Sequence, residues 1–211
     1  MTDTDWLTIA SLATAAGTLV LAVATFASVR SANRSARVSE RALLGANLPL
    51  VVPSRLSDPP EKIRFLGDRW IKIRGGHAYA EATDTAIFLA IAVRNTGRGM
   101  ALLDQWSVAT DDNFNEPPAS PKTFRRLTRD LYIAPGDTGF WQGAIRDTDD
   151  GQFKEIRTAI AERRTMRIDV EYADQEGGQR TISRIGLTPV GKADWIATIA
   201  RHWRLDGTSL R

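Results

Sequence analysis

Residues 85–94, TAIFLAIAVR, decide the fold of this 211-residue chain. They include eight consecutive apolar positions, which predicts a strand at the centre of a sheet with both faces covered. A turn follows at 95–99, NTGRG, and residues 101–110, ALLDQWSVAT, then alternate so that Trp106 and Val108 point inward. The stretch therefore predicts two long β-strands in the middle of the chain.

Short alternating runs, broken by Gly, Pro and Asp, continue on both sides of these strands. They predict further strands, several of them paired as the hairpins 63–74, 129–145 and 166–187, with a first strand at 49–53. Residues 111–121, DDNFNEPPASP, are too polar and too rich in proline for regular structure, and predict a loop. About eight short strands with few helices predict a mainly β fold, an antiparallel β-sandwich over residues 49–190.

Two segments of the chain have helical spacing. Residues 151–163 place Phe153, Ile156 and Ile160 on one face, which predicts a short helix crossing one end of the sheet. Residues 191–211 predict an amphipathic C-terminal helix and tail, with one apolar face formed by Trp195, Ile196, Ile199, Ala200 and Trp203. This helix either packs on the sandwich or lies at a membrane interface, and packing is favoured because a small sandwich needs a lid over its open end.

Three turn motifs carry a resemblance to a known class of domain: residues 93–101, VRNTGRGMA, residues 133–137, IAPGD, and residues 170–174, VEYAD. They resemble immunoglobulin-like sandwich domains of bacterial surface and membrane proteins, in which a strand ends in an Asn-x-Gly turn. The layout of the chain resembles uncharacterised bacterial single-pass membrane proteins with such a domain after an N-terminal anchor. The resemblance implies a fold and no functional residue, and the cysteine pair of antibody-type domains is absent.

The N-terminal stretch 6–29, WLTIASLATAAGTLVLAVATFASV, contains no charged residue. At 1.5 Å per residue it spans about 36 Å as a helix, enough to cross a hydrocarbon core of ~30 Å. A cleavable signal peptide would begin with basic residues, whereas this chain begins MTDTD, although the sequence AVA at 22–24 resembles a cleavage site. Residues 1–29 are therefore predicted to be a short N-terminus and a permanent transmembrane helix.

Basic residues directly after this span predict its orientation: Arg30, Arg34, Arg37 and Arg41. Positive charge beside a span stays in the cytoplasm, so we expect a single-pass protein of the inner (cell) membrane with its N-terminus outside and residues 30–211 inside. The stretch 30–48 is predicted to be a juxtamembrane basic helix or linker. Trp6 fits an interfacial aromatic residue, and the Ala13-xxx-Gly17 spacing suggests a homo-oligomer formed through the span.

The charge balance and the content of cysteine and histidine limit which kinds of binding site and reaction the chain can support. The formal charge is only +3, with 28 Lys and Arg against 25 Asp and Glu, so no strong field favours nucleic acid. The absence of cysteine excludes disulfides, thiolate zinc sites and a cysteine nucleophile. His77 and His202 are the two histidines, and neither has a neighbouring ligand at metal spacing. Asp111-x-Asn113-x-Asn115 imitates a calcium loop but has Glu116 at the glycine position.

The sequence therefore predicts no catalytic, cofactor-binding or metal-binding residue, and no cofactor. The favoured function is a membrane-anchored, non-enzymatic interaction or regulatory module that binds a protein partner, with a possible surface at Trp195, Trp203, Arg125 and Arg126. One alternative is a membrane-tethered enzyme whose acidic loops and His77 form a cleft. Another is a sensor of an anionic ligand or nucleic acid that uses Arg125, Arg126, Arg163 and Arg164.

Overall fold

The computed structural model describes residues 3–206 and separates a helical unit, which ends at Ala46, from a β unit, which begins at Asn47. The elements in chain order are α1 (Asp3–Ala46), β1 (Val51–Pro53), β2 (Glu61–Phe65), β3 (Arg69–Ile73), β4 (His77–Ala82), β5 (Ile87–Asn95), β6 (Ala101–Ala109), β7 (Arg125–Ile133), β8 (Thr138–Ile145), α2 (Phe153–Ala161), β9 (Met166–Ala173), β10 (Thr181–Val190) and β11 (Asp194–Arg204).

Helix α1 contains one stretch, Thr8–Ser39, that is long and apolar enough to cross a membrane. Four hydroxyl side chains within it donate hydrogen bonds of 2.7 to 2.9 Å to backbone carbonyls three or four residues earlier: Ser11, Thr14, Thr18 and Thr25. A hydroxyl satisfied inside its own helix does not need water. These side chains are therefore compatible with a hydrocarbon environment.

Nine strands of the β unit form one antiparallel sheet. Strand β5 lies between β8 on one side and both β4 and β1 on the other, and the order continues from β4 through β11, β10, β9 and β6 to β7. The sheet curls into a sandwich-like arrangement, and the hairpin β2–β3 forms a separate two-stranded sheet. This mainly β, antiparallel architecture behind a long apolar helix confirms the predicted fold class.

Strand β5 is buried on both of its faces, as its sequence predicts. Its residues Ile87, Leu89, Ile91 and Val93 face the main core, which also contains three tryptophans exposed by 2% or less, Trp106, Trp141 and Trp195. The rings of Trp106 and Trp141 meet edge to face at 5.2 Å. The opposite face of β5 packs in a second core against the β2–β3 hairpin through Phe88, Ala90 and Ala92.

The turns after β5 and after β7 carry the chain across the fold rather than closing hairpins. Strand β7 pairs with β6, whereas β8 pairs with β5 along its whole length. The predicted hairpin 129–145 is therefore wrong, although its turn is present at Gly136, where φ is +82°. A tight turn fixes only the direction of the chain, and burial of the strands decides which neighbours they pair with.

Asn95 connects the start of the β unit to two crossovers, the connections from β5 to β6 and from β7 to β8. Its side chain is fully buried and uses all of its amide positions: Nδ2 donates to the carbonyls of Gly99 (2.6 Å) and Ile133 (3.0 Å). Its Oδ1 accepts from the amides of Leu50 (3.0 Å) and Gly97 (2.9 Å). One side chain thus fixes the end of β5, the end of β7 and the segment that leads into β1.

Residues 47–50, which we call the lead-in segment, press closely on the turn that follows Asn95. A Cβ atom at Gly97 would lie 2.2 Å from the Leu48 carbonyl oxygen, and one at Gly99 would lie 1.8 Å from that of Asn47. Neither distance is tolerable for backbone atoms, so only glycine fits at both positions. The close approach explains the sequence Asn-Thr-Gly-Arg-Gly.

The predicted C-terminal amphipathic helix is wrong, because the described part of 191–211 is strand β11. It pairs with β10 from Val190↔Asp194 to Thr181↔Arg204, after a turn in which Gly191 has a φ of +58°. The register shifts beside Ile185, where β11 contains one extra residue. Trp195, Ile199 and Trp203 are four residues apart, a spacing that suits one face of a helix as well as one face of a strand. The extra residue, Ala200, is also apolar and adds to the resemblance to a helix.

We expect Asn95→Ala to destabilise the β unit by about 3 kcal/mol, since it removes four hydrogen bonds to backbone groups that are buried or partly buried. Thermal unfolding of the full chain in detergent, followed by circular dichroism, measures the loss. Asn113→Ala is the matched control, because the Asn113 side chain is exposed and has no hydrogen-bond partner among residues 3–206. Equal melting temperatures for the two variants would contradict the role given to Asn95.

Candidate functional site

Strand β9 carries charged side chains on the face opposite the main core. Arg167, Asp169 and Glu171 are at most 9% exposed, while Ile168 and Val170 between them face the core. The polar loop between β6 and β7 covers part of this charged face. Charges buried in this way are stable only when they are paired.

Arg184 of β10 binds both the sheet and the loop. Its Nε and Nη2 atoms donate to the two carboxylate oxygens of Asp169 at 2.7 Å each, and the pair is almost fully buried. Its Nη1 atom donates to the carbonyls of Phe114 (3.2 Å) and Glu116 in the loop. The guanidinium lies 4.6 Å from the centre of the Trp203 ring, a cation–π contact. Arg184 therefore holds the loop against the sheet.

Arg167 of β9 makes a second set of contacts with the same loop. Its Nη1 atom donates to the Asn113 carbonyl at 2.6 Å, and its Nη2 atom donates to the carboxylates of Asp111 (3.0 Å) and Glu116 (2.7 Å). The ring of Phe114 packs on Gly186, where a Cβ atom would lie only 2.9 Å away. Asp111, which begins the calcium-like motif in the sequence, and Glu116, which departs from that motif, thus both bind an arginine.

A cavity of about 250 Å³ lies between this loop and the sheet. We call it the arginine-lined cavity, and its walls are formed by Ser107, Val108, Ala109, Ala119, Thr123, Arg125, Gln152, Arg167, Asp169 and Arg184. Three arginines line it, and each is paired with a carboxylate: Arg125 with Asp150, Arg167 with Asp111 and Glu116, and Arg184 with Asp169. A space of this size with several charged donors suits a carboxylate side chain or a small anion.

Arg125 contributes to the cavity while bound to Asp150. Its Nη2 atom donates to both carboxylate oxygens at 2.8 and 2.9 Å, and its guanidinium lies 5.5 Å from the centre of the Trp106 ring. Burial alone would raise the pKa of Asp150, but hydrogen bonds from Arg125 and the Gln152 amide lower that pKa below its ordinary value. Asp150 is therefore ionised at neutral pH and fixes the Arg125 side chain.

The other residues of the predicted interaction surface do not lie together. Arg126 is exposed and lines a separate cavity of about 20 Å³ beside β8. Trp195 is only 2% exposed in the main core, below the guanidinium of Arg163, so it does not form surface. Trp203 is half-buried between Arg184 and Arg201. Of the four predicted residues, the structure places Arg125 in the arginine-lined cavity and Trp203 against one of its arginines.

The residues predicted for the anchor lie on α1. Trp6 is 63% exposed, Arg30, Arg34 and Arg37 are exposed, and no atom lies within 4 Å of a Cβ built on Gly17. Arg41 belongs to α1, but its side chain lies outside the described part of the chain. Exposure of this apolar helix is what a lipid-facing span requires, and the roles of these residues stay predictions.

The two histidines lie in separate places. His77 begins β4, where its Nδ1 atom is 2.7 Å from the Gly75 carbonyl, and it lines neither of the cavities described above. His202 on β11 lies 2.7 Å from the hydroxyl of Ser183, and burial lowers the pKa of His202, so the ring is neutral at pH 7. The acidic loops and His77 are therefore not brought into one cleft.

The Ser183–His202 pair has a structural role. The Ser183 hydroxyl is fully buried and donates to the Val51 carbonyl at 2.9 Å. The Tyr172 hydroxyl lies 2.9 Å from Ser183 and accepts from the Val51 amide at 3.2 Å. Two side chains thus satisfy the backbone amide and carbonyl of Val51 on the edge of β1 that does not pair with β5. A serine engaged in this way has no access to a substrate, which argues against a nucleophile.

Among residues 3–206, no group of three or more His, Asp or Glu side chains is placed to hold a metal ion. Comparisons with protein families, curated proteins and solved structures found no match to this chain. The resemblance to immunoglobulin-like domains of bacterial membrane proteins therefore stays a prediction. The arginine-lined cavity and α1 are the two features of the chain that bear on its function.

Glu171 allows a test of whether the charges on this face of β9 are buried, because its carboxylate is buried and has only a distant ion-pair partner. Burial raises the pKa of its carboxyl, and the Arg180 guanidinium at 3.7 Å offsets this only in part. A raised folded-state pKa means that protonated Glu171 favours folding, and this contribution is lost as pH rises through that pKa. Glu171→Gln should therefore gain stability relative to the native chain between about pH 4 and about pH 7.

Thermal unfolding at both pH values measures this gain, and Glu176→Gln, at an exposed turn, is the control. A native chain that became more stable than Glu171→Gln as the pH rose would show that Glu171 is well paired and would contradict this assignment.

Proposed function

We propose that this chain is a single-pass membrane protein whose β unit is a non-enzymatic module that binds an acidic segment of a protein partner. The observation that carries the proposal is the arginine-lined cavity, where Arg125, Arg167 and Arg184 converge behind a polar loop. Guanidinium groups bind carboxylates through charge-assisted, often bidentate hydrogen bonds. An aspartate or glutamate side chain of the partner is the simplest group that fits the volume and can replace the carboxylates that now bind Arg167.

The ion pairs of Arg167 support a binding mode in which a carboxylate of the partner replaces the carboxylates that now bind Arg167. Its present partners, Asp111 and Glu116, have side chains that are 49% and 52% exposed, so they pair with it at the edge of the solvent. A carboxylate from a partner can replace them without leaving the buried guanidinium unpaired, and breaking the pair outright would cost about 3–5 kcal/mol. Asp169 is buried with Arg184 and stays in place as the floor of the site.

The membrane part of the proposal is supported by α1 and its flanking charges. The uncharged stretch 6–29 is followed by Arg30, Arg34 and Arg37, which favours a cytoplasmic β unit and an outer N-terminus in the cell membrane. The Ala13-xxx-Gly17 spacing supports a second contact of the span, with another copy of itself. Anchorage would keep the binding module at the membrane surface.

A small anionic ligand is the second candidate for the same cavity, because its volume of about 250 Å³ also suits a short dicarboxylate. The enzyme alternative has less support, since His77 and the acidic loops are apart and the Ser183 hydroxyl is occupied. Nucleic acid has less support as well: Arg163 donates to the carbonyls of Val190 and Asp194, and Arg164 pairs with Glu162.

Site-specific crosslinking tests the cavity in native membranes. Benzoylphenylalanine in place of Ala119, which is exposed at the cavity wall, should yield a discrete crosslinked protein. Ser107→Leu fills the cavity and should reduce the yield to about a tenth. Mass spectrometry of the crosslinked peptide should find Asp or Glu beside the attachment point.

Thr188→Leu is the matched control, since Thr188 is exposed on β10 and lies outside the cavity. A crosslink that persists in Ser107→Leu would contradict the cavity as the site. If succinate raises the melting temperature of the native chain but not of Ser107→Leu, and no protein is crosslinked, the small-ligand candidate replaces the protein partner.

Topology has its own test. A green fluorescent protein fused to the C-terminus in a bacterial host should fluoresce, because the β unit is proposed to be cytoplasmic. Alkaline phosphatase at the same position should be inactive. Active phosphatase would reverse the proposed orientation and leave the binding module outside the cell membrane.

A further inference from the structure

The β2–β3 hairpin presents a basic, aromatic face to solvent. Ile63, Phe65 and Ile73 point inward and form the second core with β5. The opposite face of the hairpin carries the exposed side chains of Lys62, Arg64, Trp70 and Lys72, with Arg74 directly after β3. The inward residues fix this face rigidly on the β unit, and we call it the hairpin face.

Positive charge on the hairpin face is only partly balanced. Residues 61–74 contain five basic and two acidic residues. Arg64 pairs with Asp68 and Arg74 pairs with Asp194, but Lys62 and Lys72 have no ion-pair partner among residues 3–206. These two lysines lie directly opposite each other in the register, an arrangement that is unfavourable for like charges. An external anion would relieve the repulsion between them.

Two large apolar side chains lie at the same end of the hairpin. Trp70 and Leu66 are each 60% exposed, and the guanidinium of Arg64 lies 5.7 Å from the centre of the Trp70 ring. Tryptophan with flanking cations is typical of groups that lie at the boundary between lipid headgroups and acyl chains. A purely solubilising surface would contain the lysines without the exposed tryptophan.

We propose that the hairpin face binds the anionic headgroups of the membrane that α1 spans. This inference rests on the proposed anchorage, which keeps the headgroups at a high effective concentration around the β unit. Each cation close to an anionic leaflet adds to binding, and Trp70 and Leu66 enter the headgroup layer beside them. Nucleic acid uses similar chemistry but lacks the tether, and the formal charge of +3 gives the chain little general attraction for it.

The absence of native cysteine allows a single probe to test this contact. Leu66→Cys, labelled with an environment-sensitive fluorophore, is placed in the full chain and reconstituted into nanodiscs of phosphatidylcholine alone or mixed with phosphatidylglycerol. In the anionic nanodiscs we expect a blue-shifted emission and protection from acrylamide. High salt should reverse both effects.

Lys62→Gln with Lys72→Gln removes two unpaired cations and should lower the ratio of bound to free hairpin about 30-fold. Lys154→Gln with Lys192→Gln is the matched control, since both lysines are exposed on other parts of the β unit. A label that stays in water in both lipids, in a chain that enters nanodiscs, contradicts the hairpin contact alone. A chain that does not enter nanodiscs contradicts the anchorage and this proposal together.

A labelled single-stranded oligonucleotide added to phosphatidylcholine nanodiscs is the second arm. Tight binding that Lys62→Gln with Lys72→Gln abolishes would assign the hairpin face to nucleic acid and overturn the lipid proposal. No binding, together with the shift in anionic nanodiscs, would confirm the headgroups as its ligand.

Discussion

The four hydrogen bonds of the Asn95 side chain are the constraint on which the β unit depends. They join the lead-in segment, the end of β5 and the end of β7 at one buried point. A buried amide group with all partners present costs little, whereas each partner lost leaves an unsatisfied polar group. Both crossovers of the sandwich meet at this point, so one buried side chain holds the ends of β5 and β7 together, while burial decides which strands pair.

Much of the fold could be predicted from the sequence, because buried strands consist mainly of apolar residues. The run of apolar residues in 85–94 predicted β5 as a central strand, and Phe153 and Ile156 predicted the buried face of α2. Pairing was harder, since a turn such as 134–137 looks the same in a hairpin and in a crossover. The C-terminal strand resembles a helix in sequence because Trp195, Ile199 and Trp203 are four residues apart, a spacing that both elements allow.

Most of the arginine-lined cavity could not be predicted from the sequence. Residues 166–172 alternate strictly, and that pattern predicts one face in the core and one in solvent. The loop covers the second face, so Arg167 and Asp169 are buried although their spacing indicates exposure. The signal that remained was the unusual length and acidity of 111–121, which supplies the carboxylates and carbonyls that the buried arginines require. Arg125 was identified as a site residue, but its partners Asp150 and Trp106 are distant in sequence.

The lead-in segment also determines how the β unit would respond to mechanical load. Tension applied through residues 47–50 reaches the Asn95 side chain and the three-residue strand β1, whose Val51 belongs to the main core. β1 is three residues long, and the Tyr172 and Ser183 side chains bind Val51 on its second edge. Load on the segment would therefore fall on the buried hydrogen bonds of Asn95, so that pulling it away would also loosen the ends of β5 and β7.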